Sequence, residues 1–419
     1  MQISVAYSGG LDSSVLLHAV SLLKNSLASP ASAKSAEFQA IHIHHGLSCH
    51  ADDWQRHCER YAEQWGIPLL VERVTLDREI SSLENEARLK RRESLNRQSG
   101  DVVLMAHHRD DQAETLLLNL FRGTGLLGAA GIPYQEGKIL RPFLHLPRSV
   151  LKDYAQSQGL VWVEDESNDD PVHRRNRVRH TILPCIAEHF PAAIENLAAS
   201  TTAFSESQQL LEELAKEDGA EQTPLPLALL RELEKKSLAR ATNALIFNLR
   251  LHGLRLPSKS WVYQCYQQLI SSREDGEVAV RIGSMTVRRY RDHMYVENEA
   301  AKFGVPVSQL WTGMDISWGA QIIRTSLTKG TGISIALLTG HAEFRPRRGG
   351  ECMALRGGFH REVKDLLREA GIPPWLRSQI PLLFHGNDLV WIPGIGIAEN
   401  YRCKPEEDGI SLEFAGLTW

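Results

Sequence analysis

Residues 3 to 27 pass from strand to tight loop to helix with nothing between them. Ile3–Tyr7 is a short apolar run with strand character, and Val15-Leu16-Leu17-His18-Ala19-Val20 carries the buried face of a helix over Ser13–Leu27. Between them stands Ser8-Gly9-Gly10-Leu11-Asp12-Ser13. Two adjacent glycines let the backbone bend so that successive N–H groups converge on one point. The helix N-terminus adds about half a positive charge there, which suits an anion such as phosphate. Ser8 and Ser13 add hydroxyl donors, with no Cβ clutter from the glycines between them. No Gly-Lys-Ser/Thr closes the loop, so a Walker A cradle is excluded.

The alternation continues beyond the loop. Strand patterns lie at Phe38–His44, Leu69–Val74, Val102–Ala106 and, shorter, Ile139–Phe143; helical patterns lie near Asp52–Trp65, Leu83–Gln98 and Asp111–Arg122. Ser26–Ala36 reads as a surface loop. Regular βα alternation implies an α/β domain built on a doubly wound parallel sheet, with ligands at the carboxyl ends of its strands. Leu183–Leu214 reads as helix and runs into a polar, proline-containing linker, Lys216–Pro226. A chain of 419 residues is too long for one core. The divisions fall at 1–216 for the α/β domain, 225–300 for a mainly helical middle domain, and 310–419 for a small α+β C-terminal domain. A hairpin through Val278–Tyr295 closes the middle domain, and Pro373-Pro374 ends a helix near Glu362–Ala370.

Composition narrows the class of protein. With 42% hydrophobic and 23% charged residues the chain is ordinary for a soluble protein. No apolar run approaches the ~20 residues of a membrane span, and no basic-then-apolar leader precedes the first strand. The six cysteines form no Cys-x-x-Cys pair, which argues against a zinc ribbon, an iron–sulfur site or a disulfide framework and points to the cytoplasm. A net charge of −4 conceals basic clusters: Arg174, Arg175, Arg177 and Arg179; Arg88 to Arg92; and Arg345, Arg347 and Arg348, continued by Arg361, Lys364 and Arg368. Phosphate contact is the usual reason to gather arginines in this way.

Two strand ends carry histidines, His42-Ile43-His44-His45 and His107-His108-Arg109-Asp110-Asp111, and both fall on the ligand side of such a sheet. Asp111 and Glu114, three apart at a helix start, face the same way. Carboxylates and histidine at this spacing bind a divalent metal or position a nucleophile, while Asp110 or Asp111 as an N-cap with Glu114 closing a capping box is the structural alternative. A Mg2+ ion arriving with a nucleotide suits the set better than a resident zinc. Gly123-Thr124-Gly125-Leu126-Leu127-Gly128 matches a dinucleotide fingerprint by letter, but it follows a helix instead of a strand and reads as a helix-exit loop. Glu164-Asp165-Glu166-Ser167-Asn168-Asp169 followed by Arg175-Asn176-Arg177 forms either a self-neutralising loop or a grip for polyanion beside the nucleotide.

The loop Ser8–Ser13 resembles the Ser-Gly-Gly-x-Asp-Ser signature of the PP-loop ATP pyrophosphatases, which cleave ATP to AMP and pyrophosphate. Over nearly the whole chain the sequence resembles one branch of that family, the tRNA(Ile)-lysidine synthetases. The resemblance rests on His42–Ser48, Glu84-x-x-Ala87-Arg88-x-x-Arg91, His107-His108 with Asp111 and Glu114-Thr115, Arg122-Gly123-x-Gly125, Glu164-Asp165-x-Ser167-Asn168, Arg175-Asn176-x-x-Arg179 and Gly371–Arg377 with Pro381-Leu382-Leu383. Arg92 and Glu166 depart from the usual tyrosine and proline, away from the phosphate loop.

The resemblance implies ATP and Mg2+ as cofactors, with free L-lysine and an isoleucine tRNA bearing a CAU anticodon as partners. The product is lysidine, formed through an adenylated cytidine, by a monomer or homodimer. It implies that Ser8, Gly9, Gly10, Leu11 and Ser13 cradle the leaving pyrophosphate and that Asp12 holds Mg2+ or orients the loop. Asp111 and Glu114 bind the lysine ammonium, assist its deprotonation or share the metal. His44 and His107 lie near the reacting base, His44 on the nucleotide side. Arg175, Arg177, Arg179, Arg345, Lys364 and Arg368 contact tRNA. The rival readings are another PP-loop enzyme, disfavoured by the lack of paired cysteines and of a glutaminase region, and a nucleotide-gated RNA-binding protein without catalysis.

Overall fold

The computed structural model describes residues 1–27, 36–46, 48, 50–74, 90, 93–95, 97, 100–166, 174–272, 278–298, 307–319, 321–338, 341–355 and 359–414. The chain divides into two compact units, Met1–Glu213 and Leu214–Trp419. The expected helix Leu83–Gln98 and the motif residues Glu84, Arg88, Arg91, Arg92, Ser167 and Asn168 lie mostly or wholly outside the described residues.

In the first unit β1 (Gln2–Ala6) leads through the glycine loop into α1 (Leu11–Leu27), followed by β2 (Glu37–His44), α2 (Ala51–Gln64) and β3 (Leu69–Arg73). After β4 (Val102–Leu104) come α3 (Arg109–Leu120), β5 (Gln135–Glu136), β6 (Ile139–Leu140) and α4 (Arg148–Ser157). The sheet order is β3-β2-β1-β4-β6-β5, parallel except for the β5–β6 edge pair. The chain winds outward from β1 to β3 and then returns to the other side of β1 at β4. The β1–β4 crevice is therefore the topological switch point, where ligands bind in such sheets. Val5, Tyr7, Leu16, Leu17, Val20, Phe38 and Ala40 bury α1 against β1 and β2, so the loop that joins them stands on a packed base. β4 and β6 end earlier than the expected Ala106 and Phe143. The expected helix Leu183–Leu214 is broken into Leu183–His189 and Ala193–Glu217. Pro191 follows Phe190 there and drives that residue out of helical conformation, to φ −130° and ψ 84°.

The second unit holds two cores. Helices Leu227–Lys236, Leu238–Leu251 and Lys259–Ser271 pack on a four-stranded sheet around Leu230, Leu245, Phe247, Tyr266 and Val287. The expected hairpin through Val278–Tyr295 is a three-stranded meander, Ala279–Ile282, Met285–Tyr290 and His293–Asn298. The last hundred residues form a five-stranded and a four-stranded sheet around Trp318, Phe344, Leu383, Trp391 and Ile410, with helix Val363–Glu369 against them. Among the described residues no helix is long and apolar enough to cross a membrane.

Candidate active site at the phosphate loop

The loop is built to leave a cradle. Gly9 has φ +84°, and a Cβ there would come within 3.0 Å of both Cys58 Sγ and Val163 Cγ2. Only glycine fits, because the backbone is left-handed and the space behind it is filled. The Val163 backbone N–H donates to the Gly9 carbonyl at 2.9 Å, which ties the loop to the segment after α4. The Ser8 and Ser13 hydroxyls lie 3.1 Å apart, Ser13 Oγ donates to the Gly10 carbonyl at 3.0 Å, and Ser14 Oγ donates to the Gly9 carbonyl at 3.3 Å. These bonds fix the curvature while α1 points its N-terminus into the bend.

Asp12 stands at the mouth of this cradle. Its Oδ1 is buried and has no hydrogen-bond partner among the described residues, with Arg148 Nε 3.8 Å away. A buried carboxylate oxygen left without a donor costs about 1–3 kcal/mol unless something satisfies it. A cradle for phosphate beside such an oxygen fits a nucleotide with its divalent cation. Groups of three or more His, Cys, Asp or Glu side chains arranged to hold a metal by themselves are absent among the described residues.

The second half of the site comes from β4 and α3. The His108 backbone N–H donates to Asp111 Oδ2 at 2.9 Å, so the first turn of α3 is capped by its own carboxylate. The His108 imidazole is buried; its Nε2 lies 3.7 Å from Asp12 Oδ2 and 3.5 Å from Asp111 Oδ2. Burial alone pulls its pKa down, but Asp12, Asp111 and Asp110 outweigh that and hold it above the usual imidazole range. Burial likewise pushes Asp111 up, and the His108, Arg175 and His107 charges bring it below the usual carboxylate range. His107 is half-buried.

Asp111 and Glu114 do face the same way, as their spacing predicts, and two arginines meet them. Arg175 donates from Nε to Glu114 Oε2 and from Nη2 to Asp111 Oδ1, each at 2.7 Å. Arg179 donates from Nε to Glu114 Oε1 at 2.5 Å and from Nη2 to Asp111 Oδ1 at 3.2 Å. Both arginines come from a segment that is α-helical over Arg174–Arg177 and π-helical over Val178–Ile182. The resemblance implies that Arg175 and Arg179 contact tRNA; in this structure their guanidiniums are paired with the buried carboxylates of Asp111 and Glu114. Arg177, between them, is exposed.

A PP-loop domain model matches residues 1–186, a TilS substrate binding domain model matches 225–295, and a TilS substrate C-terminal domain model matches 342–414. The tRNA(Ile)-lysidine synthase of Alkalilimnicola ehrlichii is 36% identical over 418 residues, covering 96% of this chain and 91% of the relative. That of Escherichia coli O157:H7 is 35% identical over 438 residues, covering 98% and 96%. The chain belongs to the tRNA(Ile)-lysidine synthase family.

As the PP-loop domain of this family member, residues 1–186 bind ATP. The remaining family-derived expectations meet the structure unevenly. His44 is buried at the end of β2, and its Nε2 lies 3.1 Å from Asp52 Oδ1, which Arg73 Nη2 also reaches at 3.0 Å. It is thus paired toward α2 through Asp52. Arg345 bends back on its own domain, donating to Glu343 and to the Gly386 carbonyl, with its guanidinium 4.5 Å from the Phe384 ring centroid. The side chain expected to contact tRNA is thus held within its own domain in this structure. Lys364 and Arg368 pair with Glu362 and Asp365 at 2.8 and 3.2 Å but stay well exposed. Sequence alone assigned no role to two residues of the site, His108 and Arg148. The available signal for His108 was its position three before Asp111, a capping-box spacing with histidine in place of serine or threonine.

Proposed function

We propose that this chain joins free L-lysine to carbon 2 of the wobble cytidine in CAU-anticodon isoleucine tRNA, consuming ATP and releasing AMP and pyrophosphate. The observation that carries the reading is the meeting, at the β1–β4 switch point, of a phosphate cradle with a buried carboxylate pair suited to a cationic amine. In the first step the C2 carbonyl oxygen of the cytidine attacks the α-phosphate of ATP and pyrophosphate leaves. In the second the lysine amine attacks C2 and AMP leaves. The reaction belongs in the cytoplasm, where these substrates are.

Ser8, Gly9, Gly10, Leu11 and Ser13 hold the departing pyrophosphate through backbone N–H and hydroxyl groups aimed at one point. Asp12 Oδ1 would hold Mg2+, which when bound offsets the charge of the phosphates. Asp111 and Glu114 receive the lysine ammonium and take the proton that the amine must lose to attack. For that, Arg175 and Arg179 give up the bonds they make to the same oxygens, and the freed guanidiniums turn to the α-phosphate or the tRNA backbone. His107 flanks this pair. Arg177, Lys364 and Arg368 offer exposed positive charge to tRNA phosphates. The base is reachable because an anticodon loop presents it unstacked at low cost.

The test is incorporation of labelled lysine into unmodified CAU-anticodon isoleucine tRNA with ATP and Mg2+, followed by mild alkali. Label that survives alkali supports a base-linked lysine. AMP formation with a nucleophile other than lysine would keep the PP-loop chemistry and discard this substrate.

A further inference from the structure

The roles assigned above leave His108 without one, yet it is the side chain that joins the two halves of the site. Asp12 belongs to the phosphate loop after β1, and Asp111 belongs to the carboxylate pair on α3. The His108 Nε2 atom lies between them, 3.7 Å from Asp12 Oδ2 and 3.5 Å from Asp111 Oδ2, while Nδ1 lies 3.9 Å from Asp110 Oδ2. The residue is 1% exposed, so packing leaves the ring little freedom to move away. The outer oxygens of the two carboxylates face other partners: Arg148 Nε at 3.8 Å from Asp12 Oδ1, and Arg175 and Arg179 on Asp111 Oδ1.

We propose that His108 is a positioning residue, which holds Asp12 and Asp111 in register so that the activated base and the lysine amine meet in one geometry. The proposal rests on the lysine-ligating reading. Without the bridge, adenylation still occurs at the phosphate loop, but the amine site drifts relative to the activated carbon. A misplacement of about 1 Å costs on the order of 10²-fold in rate. Water then competes: it attacks C2 of the adenylated base, AMP leaves, and unmodified cytidine is restored.

The experiment counts AMP formed per lysine incorporated, together with kcat and the KM for lysine, in wild type, His108→Ala, His108→Gln and His108→Asn. Wild type is expected near one AMP per lysine. His108→Ala should lose about 10²-fold in lysine transfer and form several AMP per lysine. Gln places an amide near the Nε2 position, between Asp12 and Asp111, and should restore much of the coupling. Asn places its amide on the Nδ1 side and should not. If His108→Ala fails to fold, the Gln and Asn pair still decides the matter. An AMP-to-lysine ratio that stays at the wild-type value in every variant, or Gln no better than Asn, overturns the proposal. Wild-type protein that consumes no ATP in a lysine- and tRNA-dependent way refutes the functional reading instead.

Discussion

Arg179 grips Glu114 side-on, with Nε 2.5 Å from Oε1 and Nη2 3.0 Å from Oε2. Glu114 is 2% exposed at its side chain and Arg179 is 24% exposed, so the pair is largely but not wholly desolvated. Removing one partner of a fully buried pair costs about 3–5 kcal/mol because it strands the other charge. Since Arg175 remains and Arg179 is partly solvated, Arg179→Ala should cost less, about 2 kcal/mol. Arg179→Lys should recover little of it, because an ammonium cannot make the parallel bonds of the guanidinium fork. Urea unfolding of the three proteins measures both; an unchanged midpoint for Arg179→Ala would show that the cluster adds nothing to stability.

Gly9 and Gly10 are expected to differ sharply. Gly9→Ala forces a Cβ into the left-handed region at about 1–2 kcal/mol. It also crowds Cys58 and Val163, and overpacking of this kind costs about 1–3 kcal/mol. Gly10→Ala meets nothing closer than Ser8 Oγ at 3.6 Å and should fold normally. Thermal unfolding of both variants, with ATP binding by calorimetry, checks the contrast.

Asp12→Asn should leave the fold intact and abolish turnover. Among the described residues the Asp12 carboxylate makes long contacts to His108 and Arg148, at 3.7 and 3.8 Å, so little structural energy is lost. A well-placed electrostatic group contributes about 10²–10³ in rate. Pyrophosphate release in the presence of tRNA is the readout, and near-normal release would remove Asp12 from the site.

Asp111 and His108 titrate with opposite consequences for stability in protein free of nucleotide and metal. The folded pKa of Asp111 lies below its unfolded value, so its contribution is present above ~pH 4 and is lost as pH falls through the folded pKa. The folded pKa of His108 lies above its unfolded value, so its contribution is full below ~pH 6.5 and is lost as pH rises through the folded pKa. Asp111→Asn should therefore flatten the acid limb of the stability profile, and His108→Gln the limb above neutrality. Denaturant midpoints from pH 3 to pH 9 distinguish the two.

Cys58 and Cys265 are buried, and burial pushes both thiols up to about 12. Cys185 and Cys352 are exposed. Alkylation of native protein at pH 8 should mark Cys185 and Cys352 and spare the other two, while unfolded protein is marked at all four. Peptide mass spectrometry reads the pattern, and labelling of native Cys58 would mean that the wall behind Gly9 opens in solution.

The local parts of the site were legible in the chain itself. The Ser8–Ser13 loop follows from neighbours in sequence, an apolar run, two glycines and the start of an amphipathic helix. The shared face of Asp111 and Glu114 follows from helix geometry. The βα alternation was enough for a parallel sheet with its ligands at the strand ends. What arginines 61 to 68 residues beyond the carboxylates would do was decided only by packing, which brings Arg175 and Arg179 against α3. A run of arginines looks the same in sequence whether it faces phosphate or a buried carboxylate, because the partner is supplied by another element. The same holds for the two adjacent histidines. His107 and His108 are indistinguishable by composition, and it is the way β4 meets α3 that seals His108 between Asp12 and Asp111. Sequence determined the parts whose geometry is set within a few residues; tertiary structure decided which distant charges meet, because burial and distance make one pairing cheaper than solvation.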